Sequence, residues 1–212
     1  MRKLMVTTFL SLDGVMQAPG GTDEDRDGGF EHGGWSAPLF RMDLLDRMAE
    51  VIGRADALLL GRRTYEIFAE AWPLAADDDP IGSKLNTMPK YVASRRLDSV
   101  SWQNSTLLTG DVAEAVAALK EGDGGEIQVH GSCDLLQTLI EHDLVDEYHL
   151  LFFPVLIGSG KRLFGKGTVP AGLKLIDTTK SESGVVVSTY ARGGKVEYGA
   201  MGPETDNWRT EL

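Results

Sequence analysis

The sequence predicts an α/β domain, and three observations carry that prediction. Strand-like and helix-like apolar patterns alternate from Leu4 to Arg192. Three strand-to-helix junctions hold small residues: Gly61 with Thr64, Ser94, and Gly131-Ser132. The last two strand-like segments follow one another without a helical pattern between them, as in a closing antiparallel pair.

Leu4 to Leu10 is rich in β-formers and reads as the first strand, ending in the turn-forming Ser11-Leu12-Asp13-Gly14. A polar, glycine-rich loop runs from Ala18 to Gly34, with Asp23, Glu24, Asp25, Asp27 and Glu31 against the base Arg26. It reads as a solvated loop, because it lacks the terminal Glu that calcium-loop spacing requires. From Leu39 to Ile52 apolar residues recur at helical spacing. Ala57 to Leu60 is a short continuous apolar run, as in a buried strand. Thr64 to Ala69 reads as a short helix stopped before Pro73, residues 77–80 as a turn, and Ile81 to Met88 as a helix that Pro89 breaks.

Tyr91 to Ala93 and Ser105 to Leu108 read as further strands. Asp111 and Glu114 stand in capping-box order before a helix through Lys120. Ile127 to His130 is a strand, and Ser132 is placed to cap a helix from Asp134 to Glu141. Glu147 to Phe153 is a long strand closed by Pro154. Leu173 to Asp177 and Val185 to Ala191 form the closing pair. The reading is one domain over residues 1–192 and a polar tail over residues 193–212.

Of the 212 residues, 42% are hydrophobic, enough for a core, yet no apolar run approaches a membrane span. Lys plus Arg is 21 and Asp plus Glu is 32, a net charge of −11 that repels a nucleic-acid backbone. The N-terminus lacks a secretory pattern and Cys133 has no second cysteine to pair with, which together point to the cytoplasm. The acids collect in predicted loops, whereas Arg62-Arg63 and Arg95-Arg96 stand at two predicted strand ends. In open α/β sheets ligands bind at the carboxyl ends of strands. A Gly or Ser there lets a backbone N–H approach a phosphate, a helix N-terminus adds positive potential, and Arg presents a matching fork. Surface salt bridges account for the same arginines equally well.

These residues resemble a known family. Gly61-Arg62-Arg63-Thr64-Tyr65-Glu66 is similar to the strand-helix motif of dihydrofolate reductase-like folds, and Val92-Ala93-Ser94-Arg95 to their second cofactor motif. Ile127 to Ser132 resembles their glycine-pair strand. Ser11 to Gly14, Leu144 to Leu150 and Pro154 to Gly160 more closely resemble the RibD C-terminal reductases. The resemblance implies a central, mostly parallel twisted sheet flanked by helices, NADPH as cofactor, and hydride transfer. It places Gly61, Arg62 and Thr64 near the adenosine phosphates, Ser94 and Arg95 at the 2′-phosphate, and Gly131 and Ser132 at the pyrophosphate. It also makes Asp13 the active-site anchor or proton-relay acid, although a turn carboxylate bonding its own backbone reads the same way.

Trp35 and Phe40 would form an aromatic wall, Gly158 and Gly160 would border the substrate, and the acidic loop would serve as a lid. Lys161 and Arg162 read equally as contacts for an anionic substrate and as surface residues. The sequence departs from dihydrofolate reductases at two points. Their Gly-Gly pair is Gly131-Ser132, and the position of their helix acid falls near Phe40, with Asp43 and Asp46 further on. The second departure argues against dihydrofolate as substrate.

Other chemistries lack their residues. Gly158-Ser159-Gly160-Lys161 has Val155 where a P-loop needs glycine and Arg162 where it needs Ser or Thr. His130 and Cys133 have metal-like spacing but no second pair, so no metal is expected. Cys133 at a helix start is placed for a lowered pKa. No Gly-x-Ser-x-Gly elbow marks a hydrolase. The expected function is therefore an NADPH-dependent reductase of a small substrate. Its closest named activity is reduction of 5-amino-6-(5-phosphoribosylamino)uracil in riboflavin biosynthesis, without an accompanying deaminase zinc set. The alternative is a non-catalytic nucleotide-binding protein on the same fold. The resemblance also implies a homodimer, for which Leu150 to Phe153 is either the interface or a buried central strand.

Overall fold

The computed structural model describes residues 1–76, 78–165 and 168–201. Asp77, Gly167 and most of the polar tail lie outside the described residues. The strands are β1 (Leu4–Ser11), β2 (Ala55–Gly61), β3 (Lys90–Ala93), β4 (Ser105–Leu107), β5 (Glu126–His130), β6 (Glu147–Phe153), β7 (Gly172–Lys180) and β8 (Val186–Gly194). The helices are α1 (Met42–Gly53), α2 (Arg62–Ala71), α3 (Pro80–Thr87), α4 (Val112–Glu121) and α5 (Cys133–Glu141). They flank an 8-stranded sheet of order β4-β3-β2-β5-β1-β6-β8-β7.

β1 to β6 run parallel, because each of those connections crosses over through helix or loop. β8 turns back antiparallel on β6, with Leu151 opposite Val187, and β7 pairs with β8. Alternation along the strands divides the core into two layers. On one face Leu44, Met48 and Ile52 of α1 and Ile81 and Leu85 of α3 cover Leu58, Leu60, Val92, Leu151 and Phe153. On the other, Val116 of α4 and Leu135, Leu136 and Leu139 of α5 cover Leu4, Val6, Leu59, Ile127 and Val129. Each fully buried Leu contributes about 1.5–3 kcal/mol. β6 lies between β1 and β8, and Leu150, Leu151 and Phe153 are buried within the chain. The Leu150 to Phe153 run is therefore a central strand and is unavailable as a dimer interface.

Two helix starts follow their sequence signals. The Asp79 carboxylate accepts from the Ile81 N–H at 2.9 Å with Pro80 in the first turn, and Asp111 accepts from the Glu114 N–H at 3.0 Å. Such a cap contributes about 1 kcal/mol. Ser132 departs from expectation: it makes no side-chain cap on α5.

Strand lengths shape the carboxyl edge. β5 pairs with only the first half of β1, Leu4 to Thr7, whereas β1 continues beside β6 as far as Ser11. β2 likewise leaves β5 at Leu58 and continues beside β3 to Gly61. Beyond His130 a gap thus opens between β1 and β2, and the first turn of α5 enters it.

Candidate functional site

Ser132 organises that gap. Gly131 and Ser132 both have left-handed backbone, with φ of 62° and 68°. For a serine this conformation costs about 1 kcal/mol or more. It aims the Ser132 hydroxyl across the gap, where it accepts from the Gly61 N–H at 2.8 Å and donates to Thr64 Oγ1 at 2.8 Å. The approach is so close that a Cβ on Gly61 would lie 2.9 Å from both Ser132 Cβ and Oγ. Of the residues expected at the cofactor, Gly61, Thr64, Gly131 and Ser132 are thereby brought together. Because the Ser132 hydroxyl is spent this way and Gly61 has no side chain, the starts of α5 and α2 carry no side-chain cap. Their free N–H groups and dipoles face the same edge.

Arg62 is less available than its position suggests, since its guanidinium holds both carboxylate oxygens of Glu66, at 3.1 and 2.8 Å. Ser94 follows Ala93, which pairs with Gly61, so it reaches the same edge one strand over. Its hydroxyl accepts from the N–H groups of Arg96 and Leu97, both at 3.0 Å, and shapes a turn that leaves Arg95 and Arg96 exposed.

Asp13 joins the loop after β1 to the loop after β6. Its carboxylate accepts from the Ser11 hydroxyl at 2.7 Å, the Ile157 N–H at 3.0 Å and the Gly158 N–H at 2.8 Å, with Arg162 at 3.3 Å. The Ile157 N–H and the Ser11 hydroxyl, aided by Gly158, hold this carboxyl far below the usual carboxylate range. Asp13 is thus placed as an ionised clamp between the two loops. Of the two glycines expected beside the substrate, Gly158 donates to that clamp. Gly160 packs under the acidic loop, where an added Cβ would meet the Phe30 ring at 2.8 Å.

Trp35 and Phe40 do form an aromatic group. Phe40 lies 5.6 Å from Phe9, Phe9 lies 5.3 Å from Phe153, and Trp35 meets Phe153 edge-on at 5.5 Å. The Trp35 indole donates to the Gln17 carbonyl at 2.8 Å, which fixes the ring at the base of the acidic loop. Asp43 stays away from this group, because its carboxylate accepts from Glu182 N–H in the β7–β8 turn.

A model of the RibD C-terminal domain matches residues 2–187. The chain belongs to the RibD C-terminal domain family. It is 26% identical over 200 residues to the uncharacterized protein YyaP of Bacillus subtilis, covering 91% of this chain and 96% of that one. It is 28% identical over 123 residues to the uncharacterized protein YwjB of the same organism, covering 58% and 66%. Among solved structures, it superposes on a putative riboflavin biosynthesis protein from Shewanella sp. PV-4 with a TM-score of 0.64. That match has 20% identity and covers 90% of this chain and 98% of the other. A pyrimidine reductase-like protein from Corynebacterium diphtheriae gives 0.62 at 16% identity, over 90% and 92%. A diaminohydroxyphosphoribosylaminopyrimidine deaminase/5-amino-6-(5-phosphoribosylamino)uracil reductase from Thermotoga maritima gives 0.59 at 13% identity, over 90% and 56%. At these identities the likeness is one of fold.

Several features of this RibD C-terminal domain escape sequence reasoning. Asp25 accepts from Arg63 at 2.5 Å and from Lys161 at 2.8 Å, and Asp27 lies 2.9 Å from Lys161 and 3.5 Å from Arg63. Asp25 and Asp27 thus strap the acidic loop to Arg63 and Lys161, while Asp23, Arg26 and Glu31 are exposed, as a solvated loop requires. Lys161 by hydrogen bond and charge, then Arg63 and Arg96 by charge, hold the Asp27 carboxyl below its usual range. Burial pulls the Lys161 ammonium down, but bonds to Asp25 and Asp27 more than offset it and raise its pKa. Gln17, almost fully buried, donates to the carbonyls of Asp25 and Asp27 and accepts from the Lys161 N–H.

His130 and His149 also gain meaning only from the sheet. Both are opposite Thr7, on β5 and β6 respectively, so the three share one face of the sheet. Burial above all, with His149 beside His130 and the Arg54 charge near His149, pulls both imidazoles down to about 4 and keeps them neutral. Cys133 corrects the expected lowered pKa: burial, then the Asp134 charge, pushes its thiol up. No helix among the described residues is long and apolar enough to cross a membrane.

Proposed function

We propose that this RibD C-terminal domain is an NADPH-dependent reductase of a small planar substrate. The observation that carries the reading is the convergence of Gly61, Thr64 and Ser132 between the uncapped starts of α2 and α5. This donor set fits a phosphorylated dinucleotide: two helix starts and the Thr64 hydroxyl for the pyrophosphate, and the exposed Ser94-Arg95-Arg96 turn for a further phosphate. When bound, NADPH supplies the hydride. Thr64, held by the Ser132 hydroxyl, would orient its pyrophosphate, and Arg95 would read the 2′-phosphate. Asp13 acts by positioning, holding Ile157 and Gly158 at the substrate's border. Trp35 and Phe40 provide an apolar wall that keeps water from the reacting atoms.

The printed activity of the Thermotoga relative makes an aminopyrimidine carrying a phosphorylated ribosyl group the first substrate to assay. Fluorescence titration with NADPH and NADH, followed by turnover of that substrate, tests the reading. Absence of binding by either nucleotide defeats it.

A second reading, nucleotide binding without turnover, is favoured by the state of the titratable groups at this edge. Hydrogen bonds hold the Asp13 carboxyl ionised, well below the usual carboxylate range, and burial keeps His130 and His149 neutral. Tight NADPH binding without oxidation on a panel of aminopyrimidines, pterins and quinones would select it. The proposed homodimer is assigned to β7, where Leu173, Leu175 and Ile176 are exposed, and sedimentation tests it. The proposed compartment is the cytoplasm.

A further inference from the structure

The acidic strap crosses the candidate anion site and fastens at both of its sides. Arg63 is the second residue of α2, and Lys161 belongs to the loop after β6. That loop touches the first residue of α5, since the Cys133 thiol donates to the Arg162 carbonyl at 3.3 Å. Asp25 and Asp27 together make four contacts of 2.5 to 3.5 Å with Arg63 and Lys161. The two carboxylates therefore sit between the starts of α2 and α5, bridging cations as two phosphate groups would. Gly28, Gly29 and Gly34 have φ of 66°, 77° and 79°, so the strap contains several residues able to change conformation at little cost. Among the described residues, Asp25 to Glu31 is otherwise held by Phe30, which packs with Val15 and Ala18, and by Gln17, which donates to the Asp25 and Asp27 carbonyls.

We propose that Asp25 and Asp27 form a carboxylate latch on this site: they are the resting counter-ions of Arg63 and Lys161, and an arriving pyrophosphate takes their place and frees the strap. The proposal rests on the reading of this edge as a dinucleotide site and adds to it Lys161 as a phosphate-binding residue. Exchange of anions conserves charge: two carboxylates leave a pair of cations and a doubly charged pyrophosphate enters. The cations are never left unpaired in a partly buried setting. The freed strap, joined to the fold at Gly20 and Gly34, is then available to cover the bound nucleotide.

The test compares wild type with Asp25→Asn/Asp27→Asn, using inorganic pyrophosphate and NADPH separately as ligands in calorimetric titrations. The double variant keeps the shape of both side chains and removes the competing charge. It should bind either ligand at least threefold more tightly, and adding Lys161→Met should abolish that gain. Equal or weaker pyrophosphate binding by the double variant overturns the latch, as does failure of both proteins to bind pyrophosphate. If pyrophosphate behaves as expected but NADPH does not bind, the latch stands and the reductase reading falls. Should the variant fold poorly, hydrogen exchange in wild type decides. Pyrophosphate should speed exchange of the amides of residues 22–31, and slower or unchanged exchange there contradicts displacement.

Discussion

The Ser132 hydroxyl accepts the Gly61 amide proton at 2.8 Å, joining the ends of β5 and β2 across 71 residues of sequence. This one bond draws the starts of α2 and α5 together and keeps the Ser132 side chain from capping α5. A buried N–H of this kind costs about 1–3 kcal/mol if left unpaired, so the bond also closes the gap energetically.

Gly61→Ala should be disruptive, because its Cβ would stand 2.9 Å from the Ser132 side chain. Overpacking of this sort costs about 1–3 kcal/mol. For a domain of this size that corresponds to a fall in Tm of roughly 2–12 °C. Calorimetry or far-UV circular dichroism measures it, and an unchanged Tm would show that the contact relaxes freely.

Arg95→Ala should discriminate between the two nicotinamide nucleotides. A charge-assisted bond to the 2′-phosphate is worth about 1.5–3 kcal/mol, or roughly 10- to 150-fold in affinity. NADPH binding should weaken by that order while NADH binding changes less than about threefold. Equal losses would remove Arg95 from the 2′-phosphate.

Much of the scaffold was legible in the chain. β6 is Glu147–Phe153 in the structure as in the pattern, because a long β-rich run ending at Pro154 has no competing helical reading. Leu58, Leu59 and Leu60 are all fully buried, as a continuous apolar run between two covered faces requires. The site was less legible. Ser132 reads locally as a helix cap, yet its hydroxyl is taken by Gly61 and Thr64. Lys161 pairs with Asp25 from 136 residues away, and no local pattern encodes a pairing at that distance. Asp25 and Asp27 look solvated because their partners lie on other elements.

Asp13→Asn should change how stability depends on pH. The native carboxyl titrates below its unfolded value of about 3.9, so its contribution is present above that value and is lost as pH falls toward the native one. Chemical denaturation at pH 7 should show a loss of about 1–3 kcal/mol in the variant, from the unpaired Ile157 or Gly158 amide. The difference between variant and wild type should shrink below about pH 4. A gap that stays constant with pH would contradict an ionised clamp.

His130 and His149 should govern a higher window. Both titrate near 4 in the folded protein against a value of 6.5 for an unperturbed imidazole. The unfolded chain takes up protons first, so stability should be complete above about 6.5 and fall as pH drops toward 4. His149→Gln should flatten that limb in denaturation curves taken at intervals across it. An unaltered slope would place the acid sensitivity in other residues.

A fluorescence titration of the wild-type protein with NADPH, repeated with NADH, bears most directly on whether the edge built by Gly61, Thr64, Ser94 and Ser132 is a dinucleotide site. Quenching of tryptophan emission should saturate at micromolar NADPH, with NADH binding at least about tenfold more weakly for want of the 2′-phosphate. The absence of saturable quenching by millimolar NADPH would contradict it.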